Sequence, residues 1–431
     1  MIPSVINVRR GSSALPSATP VAPQLAPPLL VGEHFAAALL YFVIGAITLV
    51  VVAPDLAAGH FFLPRVVALV HLFTLGWIVL SIFGALCQFL PVAVGRAMRS
   101  HGVAHVSFAA QAIGVGLFVT GLLTGSRTLL LTGAFALSLA FVLFGLNLAA
   151  TLLSAPERGL TFWALVGAAV FLLITPVYGV VLAFYVHDGG LADPFSTIGQ
   201  HAHVAIVGFV LMVMLGVANR LLPMFLLTHG VSERPAWLAA GLLFSSAALL
   251  AVPYGGAVRI YIAAALGCCG VIAQIVQAAL YFRSRKRRSI DPGMRLAAAG
   301  VIGLLVAVLL APFAMIRGTS DLHLLTTYYV VVLGAISLFV AGHYYKIVPF
   351  LVWNHRYGPL LGKRKVPKVA ELYSEKIAHV NAALLIAGFA GLAIATYIAS
   401  PLLARLAAGI WAIGALLEVV VIARVAQKKV A

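Results

Sequence analysis

Thirteen histidines in a chain of 431 residues carry most of the chemistry this sequence can offer. There is no P-loop, no glycine-rich dinucleotide turn, no HExxH pair and no GxSxG elbow. Imidazole titrates near neutrality and ligates metals through either ring nitrogen. Within a membrane it is costly unless paired, ligated or facing water. His71 lies well inside an apolar run, with Arg65 near the start of that run. This placement suits a metal or heme ligand; the alternative is a hydrogen-bonded packing residue. His201 and His203 are two residues apart, which is about 200° on an α-helix, so their rings point to opposite sides. One helix can thereby serve two neighbouring sites.

The elements that hold these residues follow from composition. The chain is 63% hydrophobic and 9% charged, with a mean hydropathy of +1.09. An ordinary soluble domain has about 25% charged residues. A soluble enzyme, a nucleic-acid-binding domain, a coiled coil and a disulfide scaffold are all excluded. Cys87, Cys268 and Cys269 lie in apolar segments and read as small packing residues. From His34 onward, apolar runs long enough to span about 30 Å of hydrocarbon recur. They cover 34–53, 66–92, 102–124, 127–153, 161–186, 199–227, 236–253, 258–282, 293–315, 323–353, 376–398 and 401–424. This predicts an all-α polytopic membrane protein with twelve transmembrane helices. Residues 1–31, rich in proline, read as a flexible cytoplasmic tail, and 32–431 as one transmembrane domain.

The net charge of +17 serves topology here. Arg9, Arg10, Arg96, Arg99, Arg158, Arg234, the run 283–288, Arg356, Lys363, Arg364, Lys365 and Lys368 fall in the tail and the even-numbered connections. An excess of Lys and Arg marks the cytoplasmic side. Both termini are therefore expected in the cytoplasm, the protein sitting in a bacterial-type inner membrane.

An internal repeat organises the helices. Helix 2 reads His71-x4-Gly76-x7-Gly84-x6-Pro91, helix 6 reads His203-x4-Gly208-x7-Gly216-x6-Pro223, and helix 10 reads Tyr329-x4-Gly334-x7-Gly342-x6-Pro349. The copies are offset by 132 and 126 residues. A polar residue precedes each proline by three: Gln88, Arg220 and Lys346. These suit heme propionates, a quinone headgroup or a proton path, although snorkelling to the surface is the simpler account for the two cations. The repeat predicts three four-helix units, about 34–153, 161–282 and 293–424, around a pseudo-threefold axis.

By this register His71 and His203 share a depth, which suits two axial imidazoles on one heme iron. His201, His323 and Tyr329, also in the outer half, are candidates for a second heme or a copper ion. At the cytoplasmic side His101 and His105 form an i, i+4 pair, His379 opens helix 11 and His343 ends helix 10. They form a further candidate site, against the plainer reading of interfacial histidines. Glu418 and Asn147 are isolated polar residues within helices 12 and 4.

Twelve helices, three units, and histidines in the outer halves of helices 2 and 6 make the chain resemble the catalytic subunit of heme-copper oxygen and nitric oxide reductases, the C-type oxidases most nearly. On that resemblance His71 matches a low-spin heme ligand and His203 a copper ligand. The family's histidine pair in helix 7 has no counterpart in 236–253, and its helix 10 pair is replaced by Thr327 and Tyr329. The run Asn219-Arg220-Leu221-Leu222-Pro223-Met224-Phe225 is similar to the NnrS-type heme- and copper-containing membrane proteins. The resemblance implies b-type heme, with copper as a second metal at an incomplete site. It implies electron transfer or the binding or reduction of nitric oxide or oxygen, with lipid, a cytochrome or other donor subunit and a small gas as partners, and no nucleic acid. No CxxCH occurs for covalent heme attachment. The competing readings are a proton-coupled secondary transporter and a non-catalytic assembly or sensor subunit.

Overall fold

Each apolar run becomes one helix, because a backbone in lipid can satisfy its hydrogen bonds only within its own segment. The computed structural model describes residues 26–253, 256–287 and 289–429. Twelve helices are long and apolar enough to cross a membrane, and no strand occurs among the described residues. They are α1 (Pro28–Ala57), α2 (Pro64–Val94), α3 (His101–Thr124), α4 (Arg127–Leu153), α5 (Leu160–Asp188) and α6 (Pro194–Leu226). There follow α7 (Arg234–Ala251), α8 (Ala257–Arg283), α9 (Pro292–Arg317), α10 (Leu322–Arg356), α11 (Glu375–Tyr397) and α12 (Pro401–Gln427). The chain is a multi-pass, all-helical membrane protein.

The helix starts are written locally. Asp193, Asp291 and Asp321 each accept from the backbone N–H three residues on, at 3.0–3.1 Å. Ser100 does the same for α3. Pro194 and Pro292 occupy first-turn positions where no N–H is needed. α1 starts earlier than the hydropathy indicates. Residues 28–31 form its first turn, so the tail expected over 1–31 is shorter, and residues 1–25, Arg9 and Arg10 included, lie outside the described residues.

Three helices occupy the interior. In their most apolar stretches α2 and α6 are 67% buried and α10 is 56%, against 28–44% for the other nine. The hairpins α3–α4, α7–α8 and α11–α12 pack along their lengths, α4 meets α5, α8 meets α9, and α1 lies along α12. The second glycine of the repeat sets how closely each inner helix approaches the helix before it. A Cβ on Gly84 would stand 2.7 Å from the His34 Cβ of α1, and one on Gly216 would stand 3.2 Å from the Ala164 Cβ of α5. One on Gly342 would collide with the Gly293 carbonyl of α9.

Helices α2 and α6 share a departure that the sequence did not announce. Residues 72–79 and 204–211 are wound as π-helix, beginning directly after His71 and His203. α10 runs as unbroken α-helix from Leu322 to Arg356. π segments are rare and cluster at functional positions.

Candidate functional site

The α-helical first part of α2 carries His71 at its last residue, so the imidazole sits where the helix begins to widen. His71 Nδ1 lies 2.8 Å from the Val67 carbonyl. A carbonyl accepts only, so Nδ1 holds the proton and the Nε2 lone pair is free for a ligand. The Phe118 ring of α3 packs against the imidazole with centres 4.9 Å apart.

Across from His71 stands His201. The two ring centres are 6.5 Å apart and the planes differ by 21°. This is too far for a stacked contact. It is close to the separation of two imidazoles bound on opposite sides of one metal, since a metal–imidazole bond is about 2.0–2.1 Å and the ring centre lies about 1 Å further. His201 Nδ1 is buried without a hydrogen-bond partner. Gly179 of α5 faces the ring edge, and a Cβ there would reach within 3.5 Å of His201 Cε1. Paired imidazoles with a free nitrogen on each are the donor set of a six-coordinate heme iron.

His203 turns the other way, as a two-residue separation requires. Its Nε2 is 2.8 Å from Ser246 Oγ on α7. That hydroxyl donates to the Ala263 carbonyl of α8 at 2.5 Å. Ser246 has one proton and gives it to Ala263, so His203 Nε2–H is the donor to the serine. The structure therefore brings His201, and not His203, beside His71. His71 faces α3, and His203 faces α7 and, through Ser246, α8.

His323 and Tyr329 are not part of this pair. His323 stands in the first turn of α10 with a buried, unpartnered Nδ1. Tyr329 packs near Phe61 of the α1–α2 connection and near Tyr328, with centres 6.4 and 5.5 Å apart. Thr327 closes locally on the His323 carbonyl at 2.8 Å.

At the inner end the expected cluster does not assemble. His105 Nδ1 bonds Glu33 Oε1 at 2.6 Å. His343 Nδ1 donates to the Phe339 carbonyl at 2.7 Å. His379 is 3.7 Å from Glu375 on its own helix, and His101 Nε2 is buried and unpartnered. Among the described residues, no three His, Cys, Asp or Glu side chains lie together as a metal group. The imidazole pair needs only two protein ligands and is untouched by this. A three-imidazole copper centre does not fit the side chains as placed.

The three repeat-register polar residues have separate fates. Gln88 is buried with Oε1 unpartnered. Arg220 reaches across to the Val92 carbonyl of α2 at 3.0 Å and stands 3.6 Å from Glu157. Lys346 forms a largely buried ion pair with Asp291, and its ammonium lies over the Phe225 ring at 5.2 Å. Snorkelling, the simpler sequence account, does not describe Lys346. Ser246, Gly179 and Asp291 have functional contacts that sequence reasoning missed. Only Asp291 carried a signal, as an Asp-Pro step at a helix start.

The chain matches no protein-family model and no curated protein.

Proposed function

We propose that this chain is a heme-binding integral membrane protein in which His71 and His201 would hold the heme. The observation that carries the reading is the 6.5 Å, near-parallel pairing of these two rings. Support comes from the Val67 carbonyl, which fixes the tautomer and orientation of His71; an outer hydrogen bond of this kind accompanies most metal-ligating histidines. Phe118 packs against the His71 ring. Gly179 leaves room against the edge of His201. The π segment that follows His71 supports a functional assignment for this level of α2.

Heme held this way supplies one-electron chemistry. The chain's part is to hold two neutral imidazoles at one level on adjacent inner helices. Electron transfer, or binding of a small gas such as nitric oxide or oxygen, is the activity this donor set serves. The residues do not fit copper, so no four-electron oxygen reduction is assigned. A donor subunit such as a cytochrome is the corresponding partner.

The wider architecture is proposed as three four-helix units. Supporting it are the interior positions of α2, α6 and α10, the matched π segments, and the contact of each second glycine with α1, α5 or α9. Both termini are assigned to the cytoplasmic face of a bacterial-type inner membrane, from the distribution of Lys and Arg.

The test is a reduced-minus-oxidised optical spectrum of the purified protein, expressed with hemin supplied. A sharp α-band is expected in the wild type. A featureless spectrum would overturn the reading and favour a transporter.

A further inference from the structure

Among the described residues, one carboxyl on α12 is both fully buried and without a partner. Glu418 is fully buried, and neither carboxyl oxygen has a hydrogen-bond partner. An ionisable residue inside a membrane domain marks a functional site by default, and its neighbours decide which kind.

Those neighbours can be placed by register. Trp411 of α12 packs edge-on against Phe42 of the antiparallel α1, with ring centres 6.0 Å apart. Two turns further along each helix, Glu418 comes level with Phe35. The Phe35 ring meets Tyr344 of α10 at 5.0 Å. On the third side, Gly414 packs against Leu385 of α11, which brings Asn381 to the level of Glu418.

The polar groups of this shell are bonded elsewhere, apart from the buried Trp411 Nε1–H two turns away, which has no partner. Tyr344 and Ser81 share a hydrogen bond at 2.9 Å, Tyr345 donates to Asn381 Oδ1 at 3.0 Å, and Asn381 Nδ2 donates to the Gly414 carbonyl at 2.6 Å. His34, at the same level on α1, gives its Nδ1–H to the Leu30 carbonyl at 2.7 Å. No Lys or Arg is paired with Glu418 among the described residues. A carboxylate here would be a buried charge with nothing to hold it, which is prohibitive. A sodium ion would need about six oxygen ligands, and the shell is aromatic.

We propose that Glu418 is an intramembrane proton-binding site, neutral at rest, that exchanges its proton with the inner face by way of Tyr345. The Tyr345 ring touches that of Tyr373 at 5.4 Å, and Tyr373 lies in the connection between α10 and α11, outside the spans. Burial, with Asp291 and Glu375 nearby, pushes the Tyr373 phenol up to about 12, so it is a neutral hydroxyl throughout the physiological range. In the exchange the carboxyl O–H bond breaks and its proton passes to the Tyr345 oxygen, as the Tyr345 O–H proton passes to water entering from the inner face. Tyr345 turns its O–H from Asn381 to the carboxylate oxygen until a proton returns. This site does not depend on heme.

The experiment is infrared spectroscopy of the full-length protein in lipid vesicles at neutral pH. The wild type is expected to show a protonated-carboxyl C=O band that is missing in Glu418→Gln and shifts in deuterium oxide. A carboxylate signature assigned to Glu418, or a carboxyl band that never shifts, overturns the proposal. Tyr345→Phe is expected to slow the shift about tenfold, as a modest rise in barrier would, and unchanged exchange in that variant overturns the route. If Glu418→Gln does not fold, Glu418→Asp displaces the same band and identifies it.

Discussion

His203 gives its Nε2–H to Ser246 over 2.8 Å, two residues beyond the imidazole that faces His71. The helix thus divides its two histidines between a structural bond on one side and a free ligand position on the other. Their substitutions should separate accordingly. His71→Ala and His201→Ala are each expected to abolish the low-spin heme spectrum while the protein still inserts. His203→Ala should keep it. Loss in His203→Ala with retention in His201→Ala would reverse the assignment.

Ser246→Ala leaves a half-buried imidazole N–H without its acceptor. An unmade buried hydrogen bond costs about 1–3 kcal/mol, so thermal unfolding in detergent should shift down by that amount. The loss from Ser246→Ala and His203→Ala together should be less than the sum of the two, because they remove the same bond. Additive losses would mean that the two residues act independently.

Asp291 has two duties, capping α9 through the Met294 N–H and pairing with Lys346. Lys346→Met leaves a carboxylate that is only 14% exposed with the more distant Arg287, at 4.0 Å, as its remaining cation. Removing one partner of a buried pair costs about 3–5 kcal/mol. The double variant Lys346→Met with Asp291→Asn should recover much of it, since asparagine still caps. A double variant as unstable as the single would show that the pair is not the source of the loss.

The glycines of the repeat should differ in tolerance despite identical spacing. Gly342→Ala meets the Gly293 carbonyl, which is backbone and cannot swing aside. Overpacking of this kind costs about 1–3 kcal/mol. Gly216→Ala meets Ala164 at 3.2 Å and gains helix propensity of about 0.8–1.0 kcal/mol, so its net change should be small. Equal losses at the two positions, measured by thermal unfolding, would contradict the steric argument.

The helices were legible because length and hydropathy decide them. Even the short α7, which ends just before Pro253, forms over Arg234–Ala251. Legible too was the opposition of His201 and His203, a matter of helical angle. The partner of His71 was not. Equal depth in the repeat pointed to His203, but that ring turns to Ser246 of α7 instead. His201, two residues earlier on the same helix, is the ring that faces His71. Lys346 was misread for a simpler reason: its partner Asp291 lies 55 residues away on another helix.

The π segments bear on the one place where the repeat changes residue type. Tyr329 and Pro349 are separated by the same number of residues as His71 and Pro91. A ladder closed from i to i+5 spends more residues on each turn than one closed from i to i+4, so equal counts do not measure equal heights. α2 and α6 keep one scale and α10, wholly α-helical, keeps another. Aligned at their prolines, the three helices drift apart toward their N-terminal ends. Tyr329 is carried up to the mouth of the bundle, against Phe61 of the first connection, and out of the storey that the two histidine helices share. The third copy differs in altitude as well as in side chain, and restoring histidine at 329 would not place a third imidazole beside the other two.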